Sequence, residues 1–146
     1  MSNRIPNDPA ENAQALVRVY NIRVRYADTD PMGVVYYSRY LEWFEAGRTE
    51  YLRQAGWPYR RMEEEGVFLP VVEAHVQYHR SARYDDLVQI RTSFCALSGA
   101  RLKILCEVWR DDERLACGYT VHAFLNRAGK PIRPPGFFVE TLRQHE

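Results

Sequence analysis

One helical segment flanked by alternating segments constrains the fold of this chain more than any other feature. Apolar residues recur at helical spacing from about Tyr37 to Ala55, where Gly56 ends the pattern. Residues 16–26 alternate between apolar and polar, and four more alternating segments follow between residues 72 and 125. Short polar turns separate these four segments, and short connections join antiparallel strands. The sequence therefore predicts an α+β domain with one long helix against a five-stranded antiparallel sheet.

Gly47 lies in the middle of the predicted helix, where glycine costs about 1 kcal/mol relative to alanine. Close approach of the helix to another backbone, such as a sheet wrapped around it, would compensate for this cost. We also expect a short helical turn over residues 60–65 and a last one over residues 137–143.

Composition and length favour one ordinary globular domain. The chain has 146 residues, of which 46% are hydrophobic and 27% charged, with a net charge of +1. We expect residues 1–15 to form a flexible leader and residues 16–146 a single domain, with a C-terminal tail from about residue 127. Basic residues form no stripe for nucleic acid, and no apolar stretch is long enough to span a membrane. Three cysteines favour a reducing compartment, so the predicted location is the cytoplasm.

A single helix covers only part of a five-stranded sheet. Uncovered apolar surface and exposed strand edges favour association with a second chain. We therefore expect a symmetric homo-oligomer, a dimer or a dimer of dimers.

The segment from Tyr26 to Tyr37 is the candidate functional site. It places Asp30 in a polar turn before the predicted helix, whose first N–H groups lack partners and carry partial positive charge. A carboxylate beside such donors can hydrolyse an activated acyl group. Two structural interpretations compete: Asp30 caps a turn, or Asp30 caps the helix with Pro31 as its first residue. A calcium loop is excluded because Met32 stands where an oxygen ligand belongs.

Other residues that suggest a metal or a nucleophile are less convincing. His75 and His79 are four apart in a predicted strand, about 13 Å between Cα atoms, too far to bind one metal ion. His122 fits a satisfied, partly buried strand residue. The three cysteines are spaced too widely for a zinc knuckle. The sequence therefore predicts no metal site.

The residues from Val24 to Arg53 read VRYADTDPMGVVYYSRYLEWFEAGRTEYLR. This segment resembles the hot-dog-fold acyl-CoA thioesterases of the 4-hydroxybenzoyl-CoA thioesterase class, and within that class the YbgC-like branch. A weaker likeness extends over residues 69–125. The resemblance implies a hot-dog fold, in which the five-stranded antiparallel sheet wraps around one long central helix. It also implies thioester hydrolysis without a cofactor, since CoA is part of the substrate.

The resemblance also implies roles for individual residues. Asp30 is expected to be the catalytic carboxylate, either as nucleophile or as general base, and the backbone N–H of Tyr37 is expected to stabilise the oxyanion. Tyr26 matches a tyrosine of the YbgC-like pattern and is a candidate to orient Asp30 or the acyl group; packing in the core is the alternative. Val35 and Tyr36 are expected to contact the substrate.

The chain departs from the YbgC-like pattern at Tyr37, where that branch often has a histidine. An aromatic residue there is closer to the hydroxybenzoyl-CoA type. Arg101 and Lys103 lie where related enzymes contact CoA, although exposed basic residues on strands are most often simply solvated. The expected substrate is an acyl-CoA or an acyl-carrier thioester.

Three functions are therefore compared. The leading hypothesis is an acyl-CoA thioesterase. A hot-dog hydratase or dehydratase would need a histidine near its acidic residue, and residues 1–71 contain none. The third is a non-catalytic scaffold that binds acyl groups or a cell-envelope partner.

Overall fold

The computed structural model describes residues 16–143, except the side chains of residues 96–98 and 141–143. The predicted leader, residues 1–15, lies outside the described residues. In chain order, the strands and helices are β1 (Arg18–Arg23), α1 (Arg39–Gln54), α2 (Tyr59–Glu64), β2 (Val71–Tyr78), β3 (Leu87–Ser98), β4 (Arg101–Arg110), β5 (Glu113–Ala123) and α3 (Gly136–Arg143). A 3-10 turn, Tyr26–Asp28, follows β1.

The strands form one antiparallel sheet in the order β1-β3-β4-β5-β2. Tight turns join β3 to β4 and β4 to β5, with Gly99 and Asp111 in the left-handed conformation (φ 59° and 52°). These are the turns that the polar breaks in the sequence predict. The five-stranded antiparallel sheet and the α+β class are confirmed. The helical turns expected near residues 60–65 and 137–143 are present as α2 and α3.

The 16-residue helix α1 packs one face against β1, β3 and β4. Its buried residues recur every three or four positions and include Tyr40, Phe44, Tyr51 and Leu52. Gly47 lies on this face, opposite β3, so the close approach to the sheet that its position predicts is confirmed. A Cβ at Gly47 would lie 2.6 Å from Oγ1 of Thr92 and 2.7 Å from Cγ2 of Ile90.

Replacing Gly47 by alanine is expected to destabilise the fold. Alanine is the better helix former by about 1 kcal/mol, but overpacking a well-filled core costs about 1–3 kcal/mol. Ile90 and Thr92 are fully buried and β-branched, so neither can move the contacting atom cheaply. The difference is a net loss of up to about 2 kcal/mol in the free energy of unfolding, which a urea titration measures. A stabilised variant would contradict this close contact.

The first strand and the helix begin or end differently from the prediction. β1 ends at Arg23 rather than near Tyr26 because the N–H of Arg25 donates to Oδ2 of Asp28 (2.9 Å) and the chain enters the 3-10 turn. α1 begins at Arg39 rather than at Tyr37. The N–H of Tyr36 donates to the carbonyl of Asp28 (2.9 Å), which holds the approach to the helix out of helical register.

No helix in the described part of the chain is long and apolar enough to cross a membrane.

Candidate active site

Asp30 begins a tight turn that reverses the chain between the 3-10 turn and α1. The N–H of Gly33 donates to the carbonyl of Asp30 (2.9 Å), and Gly33 has the positive φ of 80° that favours glycine. The N–H of Asp30 in turn donates to the carbonyl of Val34 (2.8 Å). Asp30 therefore stands at the base of a closed loop with a fixed backbone.

The carboxylate of Asp30 takes part in this turn with one of its two oxygens. Oδ1 accepts hydrogen bonds from the N–H groups of Met32 (2.8 Å) and Val34 (3.3 Å). Within residues 16–143, Oδ2 accepts no hydrogen bond from protein. The interpretation of Asp30 as a turn cap is thus correct, whereas the helix-cap interpretation with Pro31 as first helical residue is wrong because α1 begins at Arg39. Capping leaves one oxygen for chemistry.

A cavity of about 320 Å³ lies beside this carboxylate. It brings together four residues that the sequence predicts for the site: Asp30, Val35, Tyr36 and Tyr37. The remaining lining residues are Val34, Tyr40, Tyr78, His79, Arg80 and Ser81. The catalytic and binding roles of the four predicted residues stay predictions.

The backbone before α1 presents N–H groups without acceptors. In the described chain, neither the N–H of Tyr37 nor that of Ser38 donates a hydrogen bond to protein. The peptide unit that carries the Tyr37 N–H is fixed on its other side, because the carbonyl of Tyr36 accepts from the N–H of Arg39 (3.0 Å). Such donors at a helix start can stabilise a developing negative charge.

Asp28 is a second carboxylate in the same segment, and its contacts identify it as structural. It is buried, and its oxygens accept from the backbone and side chain of Arg25 at 2.9 Å, while Nε of Arg39 lies 3.7 Å away. Burial alone would raise the pKa of Asp28, but the hydrogen bonds from Arg25 and the charges of Arg25 and Arg39 outweigh it. The pKa of Asp28 therefore lies below its ordinary value, and the carboxylate stays ionised and paired.

Three predicted residues do not line this cavity. Tyr26 is 78% exposed and packs edge-on against Tyr84, with ring centroids 5.7 Å apart, so the alternative that it is packed in the core is wrong. Arg101 is exposed at the start of β4. Nζ of Lys103 lies 4.1 Å from the ring centroid of Tyr119. Their predicted roles stay predictions.

Four lining residues from the end of β2 were not singled out for the site from the sequence: Tyr78, His79, Arg80 and Ser81. Hydrogen bonding between distant segments brings them there, because the N–H of Val35 donates to the carbonyl of Ala82 (2.9 Å) and Val34 pairs with Arg83. The polar run after a predicted strand was the available signal. Such a run indicates where a strand ends, but it does not indicate which other segment of the chain lies beside that end.

A larger cavity, of about 480 Å³, shares no lining residue with the one beside Asp30. It lies between α2 and the segment after β5, lined among others by Tyr59, Leu69 and Leu125. His122, which bonds to the carbonyl of the lining residue Leu69, is fully buried and is also satisfied by the hydroxyl of Thr120. Burial lowers the pKa of His122 to about 4, so this histidine is neutral at physiological pH. It has the structural role that its place in the strand predicts.

Metal-binding side chains are not clustered in the described residues: no group of three or more His, Cys, Asp or Glu side chains could hold a metal ion. The three cysteines are free thiols.

The chain is similar to proteins named as esterases and thioesterases. It is 30% identical over 125 residues to a putative esterase from Aquifex aeolicus, covering 86% of this chain and 97% of that protein. It is 39% identical over 84 residues to the acyl-CoA thioesterase YbgC of Haemophilus influenzae, covering 57% of this chain and 62%, less than two thirds, of that relative.

Solved structures share the fold closely. A hypothetical protein from Thermus thermophilus superposes with a TM-score of 0.84 at 37% identity, covering 90% of this chain and 98% of that one. A probable thioesterase from Bartonella henselae gives 0.77 at 36% identity, with 82% and 99% covered. The family model of the thioesterase-like superfamily matches residues 24–142, which include the Asp30 turn and every strand of the sheet except β1. The chain belongs to this thioesterase-like superfamily, as the resemblance in the segment from Val24 to Arg53 predicts.

Proposed function

We propose that this protein is an acyl-CoA thioesterase that releases a carboxylic acid and free CoA. One observation carries the proposal: Oδ2 of Asp30 and the unpaired N–H of Tyr37 belong to residues lining the same cavity. The names of similar proteins, among them the YbgC acyl-CoA thioesterase, support the same activity. The hot-dog arrangement, with the sheet wrapped around α1, is part of the proposal and is supported by the contact of Gly47 with β3.

Two routes use the same groups. As a nucleophile, Oδ2 of Asp30 bonds to the acyl carbon, the C–S bond breaks, and water then hydrolyses the acyl-enzyme anhydride. As a general base, Oδ2 takes a proton from water, whose oxygen attacks the same carbon. In both routes the N–H of Tyr37 stabilises the oxyanion, and removal of such a donor costs about 3–4 kcal/mol of barrier. CoA leaves as a thiolate, a good leaving group that needs no strong acid.

The proposed reaction uses no cofactor beyond the CoA of the substrate itself. Tyr36, Val35 and Tyr37 would contact the acyl group or the thioester, and an aromatic wall at Tyr37 fits an aromatic acyl group. Arg101 and Lys103 remain proposed contacts for the CoA phosphates, and Tyr26 a proposed orienting residue. An acyl-carrier thioester is an alternative form of the substrate, and the cytoplasm, where such thioesters are made and used, is the proposed location.

A panel of thioesters tests the proposal directly. Purified protein is incubated with aromatic, short aliphatic and long aliphatic acyl-CoAs and with acyl-carrier thioesters, and the released thiol is measured. We expect hydrolysis of at least one class far above the rate without protein. A protein inert towards every thioester that still binds an acyl-CoA would support the scaffold hypothesis and overturn this one.

One further arm addresses the hydratase hypothesis. Residues 1–71 contain no histidine, but His79 from beyond that range lines the cavity of Asp30. The panel therefore includes an enoyl-CoA, whose hydration removes the absorbance of its conjugated double bond. Hydration without release of CoA would contradict the thioesterase proposal.

We further propose a homo-oligomer that covers the edge strand β2. Among the strands of residues 16–143, this strand pairs with β5 alone, and seven of its eight residues are exposed, including Val71 and Val72 at 44% and 47%. An exposed strand edge of this length has unpaired backbone N–H and C=O groups, which favour pairing with another strand. Pairing of two β2 edges about a two-fold axis would bury it and leave α1 on the same side of both sheets.

Sedimentation analysis checks this expectation. At micromolar concentration we expect the mass of a dimer, or of a tetramer built from two dimers. A monomer of 17.2 kDa at that concentration would contradict the proposed pairing of β2 edges.

A further inference from the structure

Tyr78, the last residue of β2, reaches across the cavity wall to the turn before α1. Its hydroxyl donates a hydrogen bond to the carbonyl of Tyr37 (2.9 Å), which joins residues 41 apart in sequence. Its ring packs edge-on against the buried Tyr40, with centroids 5.0 Å apart and planes at 86°. The hydroxyl of Tyr40 in turn accepts from the N–H of Ala82 (3.2 Å). The Tyr78 ring, although 47% exposed, therefore rests against a neighbour that is itself held in place.

The hydrogen bond from Tyr78 to the carbonyl of Tyr37 orients the whole peptide unit between Tyr37 and Ser38, because a peptide unit is planar and trans. The carbonyl of Tyr37 and the N–H of Ser38 belong to one such unit and point in opposite directions. The preceding unit joins the carbonyl of Tyr36, bonded to the N–H of Arg39, to the N–H of Tyr37. Two successive units are thus held by their carbonyls, and their two N–H groups have no acceptor in the described chain.

Few other hydrogen bonds hold the peptide unit that joins Tyr37 to Ser38. The N–H of Tyr40 approaches the same carbonyl of Tyr37 only at 3.4 Å, a long hydrogen bond. The helix cap residue, Ser38, makes no side-chain capping bond. The Tyr78 hydroxyl therefore supplies the short bond to this carbonyl. Burial, together with the neighbouring Tyr40 and Tyr37, raises the pKa of Tyr78, so the hydroxyl keeps its proton at neutral pH.

We propose that Tyr78 is a positioning residue for hydrolysis: its hydroxyl holds the carbonyl of Tyr37 and so fixes the backbone of Tyr37, which keeps the N–H of the same residue directed at the thioester oxygen. This inference rests on the proposed thioesterase activity and adds to it a residue that acts through the backbone of Tyr37. Tyr78 acts through the backbone and not on the substrate. Its effect is therefore on kcat, since the oxyanion forms only in the transition state.

The test is the variant Tyr78→Phe, which keeps the ring against Tyr40 and removes only the hydroxyl. The matched control is Tyr20→Phe, because Tyr20 lies on β1 at the opposite edge of the sheet. We expect kcat of Tyr78→Phe to fall about tenfold with KM changed less than twofold, a smaller loss than the 10²–10³ for deletion of a donor. Amide NMR shifts of Tyr37 and Ser38 should move in Tyr78→Phe and stay in Tyr20→Phe.

Each outcome separates this inference from the activity on which it rests. An unchanged kcat in Tyr78→Phe overturns the inference alone, and so does a raised KM at constant kcat, which would mean that the hydroxyl contacts substrate. Lower activity explained by a smaller folded fraction, measured by circular dichroism, with unmoved Tyr37 and Ser38 amides, also overturns it. A wild type inert towards all thioesters overturns the proposed function and this inference together.

Discussion

Asp30→Asn is expected to lower kcat for thioester hydrolysis by about 10²–10⁴, the usual contribution of a general base or activated nucleophile. The substitution is informative because the side-chain oxygen of asparagine can accept the same hydrogen bonds from the N–H groups of Met32 and Val34. The turn should therefore persist while the charge and the reactive oxygen Oδ2 are lost. Steady-state kinetics on the best substrate of the panel gives the ratio.

Two further variants separate catalysis from turn formation. Asp30→Ala removes both functions and is expected to lower the melting temperature as well as activity, whereas Asp30→Asn should lower activity alone. Asp112→Asn, in the exposed turn between β4 and β5, controls for the loss of a surface carboxylate. If Asp30→Asn retains wild-type kcat while Asp30→Ala unfolds readily, Asp30 only caps its turn, and the proposed mechanism is wrong.

Gly118→Ala is expected to be the most destabilising single-methyl change in the sheet. Gly118 lies in the middle of β5, between Cys106 on β4 and Val76 on β2. A Cβ there would overlap the carbonyl oxygen of His75 and lie 3.0 Å from Cα of Val76. Both are backbone atoms, so the clash is relieved only if β2 moves away from β5.

We expect Gly118→Ala to lower the free energy of unfolding by about 3 kcal/mol or more, because overpacking here strains a strand pairing and not a side chain. Urea titration followed by circular dichroism measures the loss. Gly136→Ala is the matched control, since a Cβ at Gly136 meets no atom within 4 Å. Equal stability of the two variants would show that β2 accommodates the methyl group without cost.

Local patterns predicted the elements of this fold well. The glycine inside the helix predicted the close approach of α1 to the sheet, and Ile90 and Thr92 supply that contact. Gly99 and Asp111 predicted the hairpin turns because glycine and aspartate tolerate the left-handed backbone that such turns require. The sequence also predicted the Asp30 turn, because an aspartate side chain can accept a hydrogen bond from the backbone N–H two residues further along the chain.

The sequence pattern did not predict contacts between segments that are distant along the chain. Alternation extended the first strand to Tyr26, but Asp28 binds the N–H of Arg25 and diverts the chain into the 3-10 turn. The alternation rule counts apolar positions and carries no information about a side chain that competes for a backbone donor. Similarly, Tyr78 reaches the cavity only because β2 ends beside the Tyr37 turn, a matter of tertiary packing.

The two hydrogen bonds from backbone N–H groups to Oδ1 of Asp30 determine when the carboxylate loses its rotational entropy. A free carboxylate on a loop would lose rotational freedom, on the order of 1 kcal/mol, each time it had to align with an incoming acyl carbon. In the proposed mechanism that loss occurs once, when the polypeptide folds, so that every later encounter with a thioester would find the second oxygen already oriented. Preorganisation of this kind lowers the activation barrier without requiring tighter binding of the ground state.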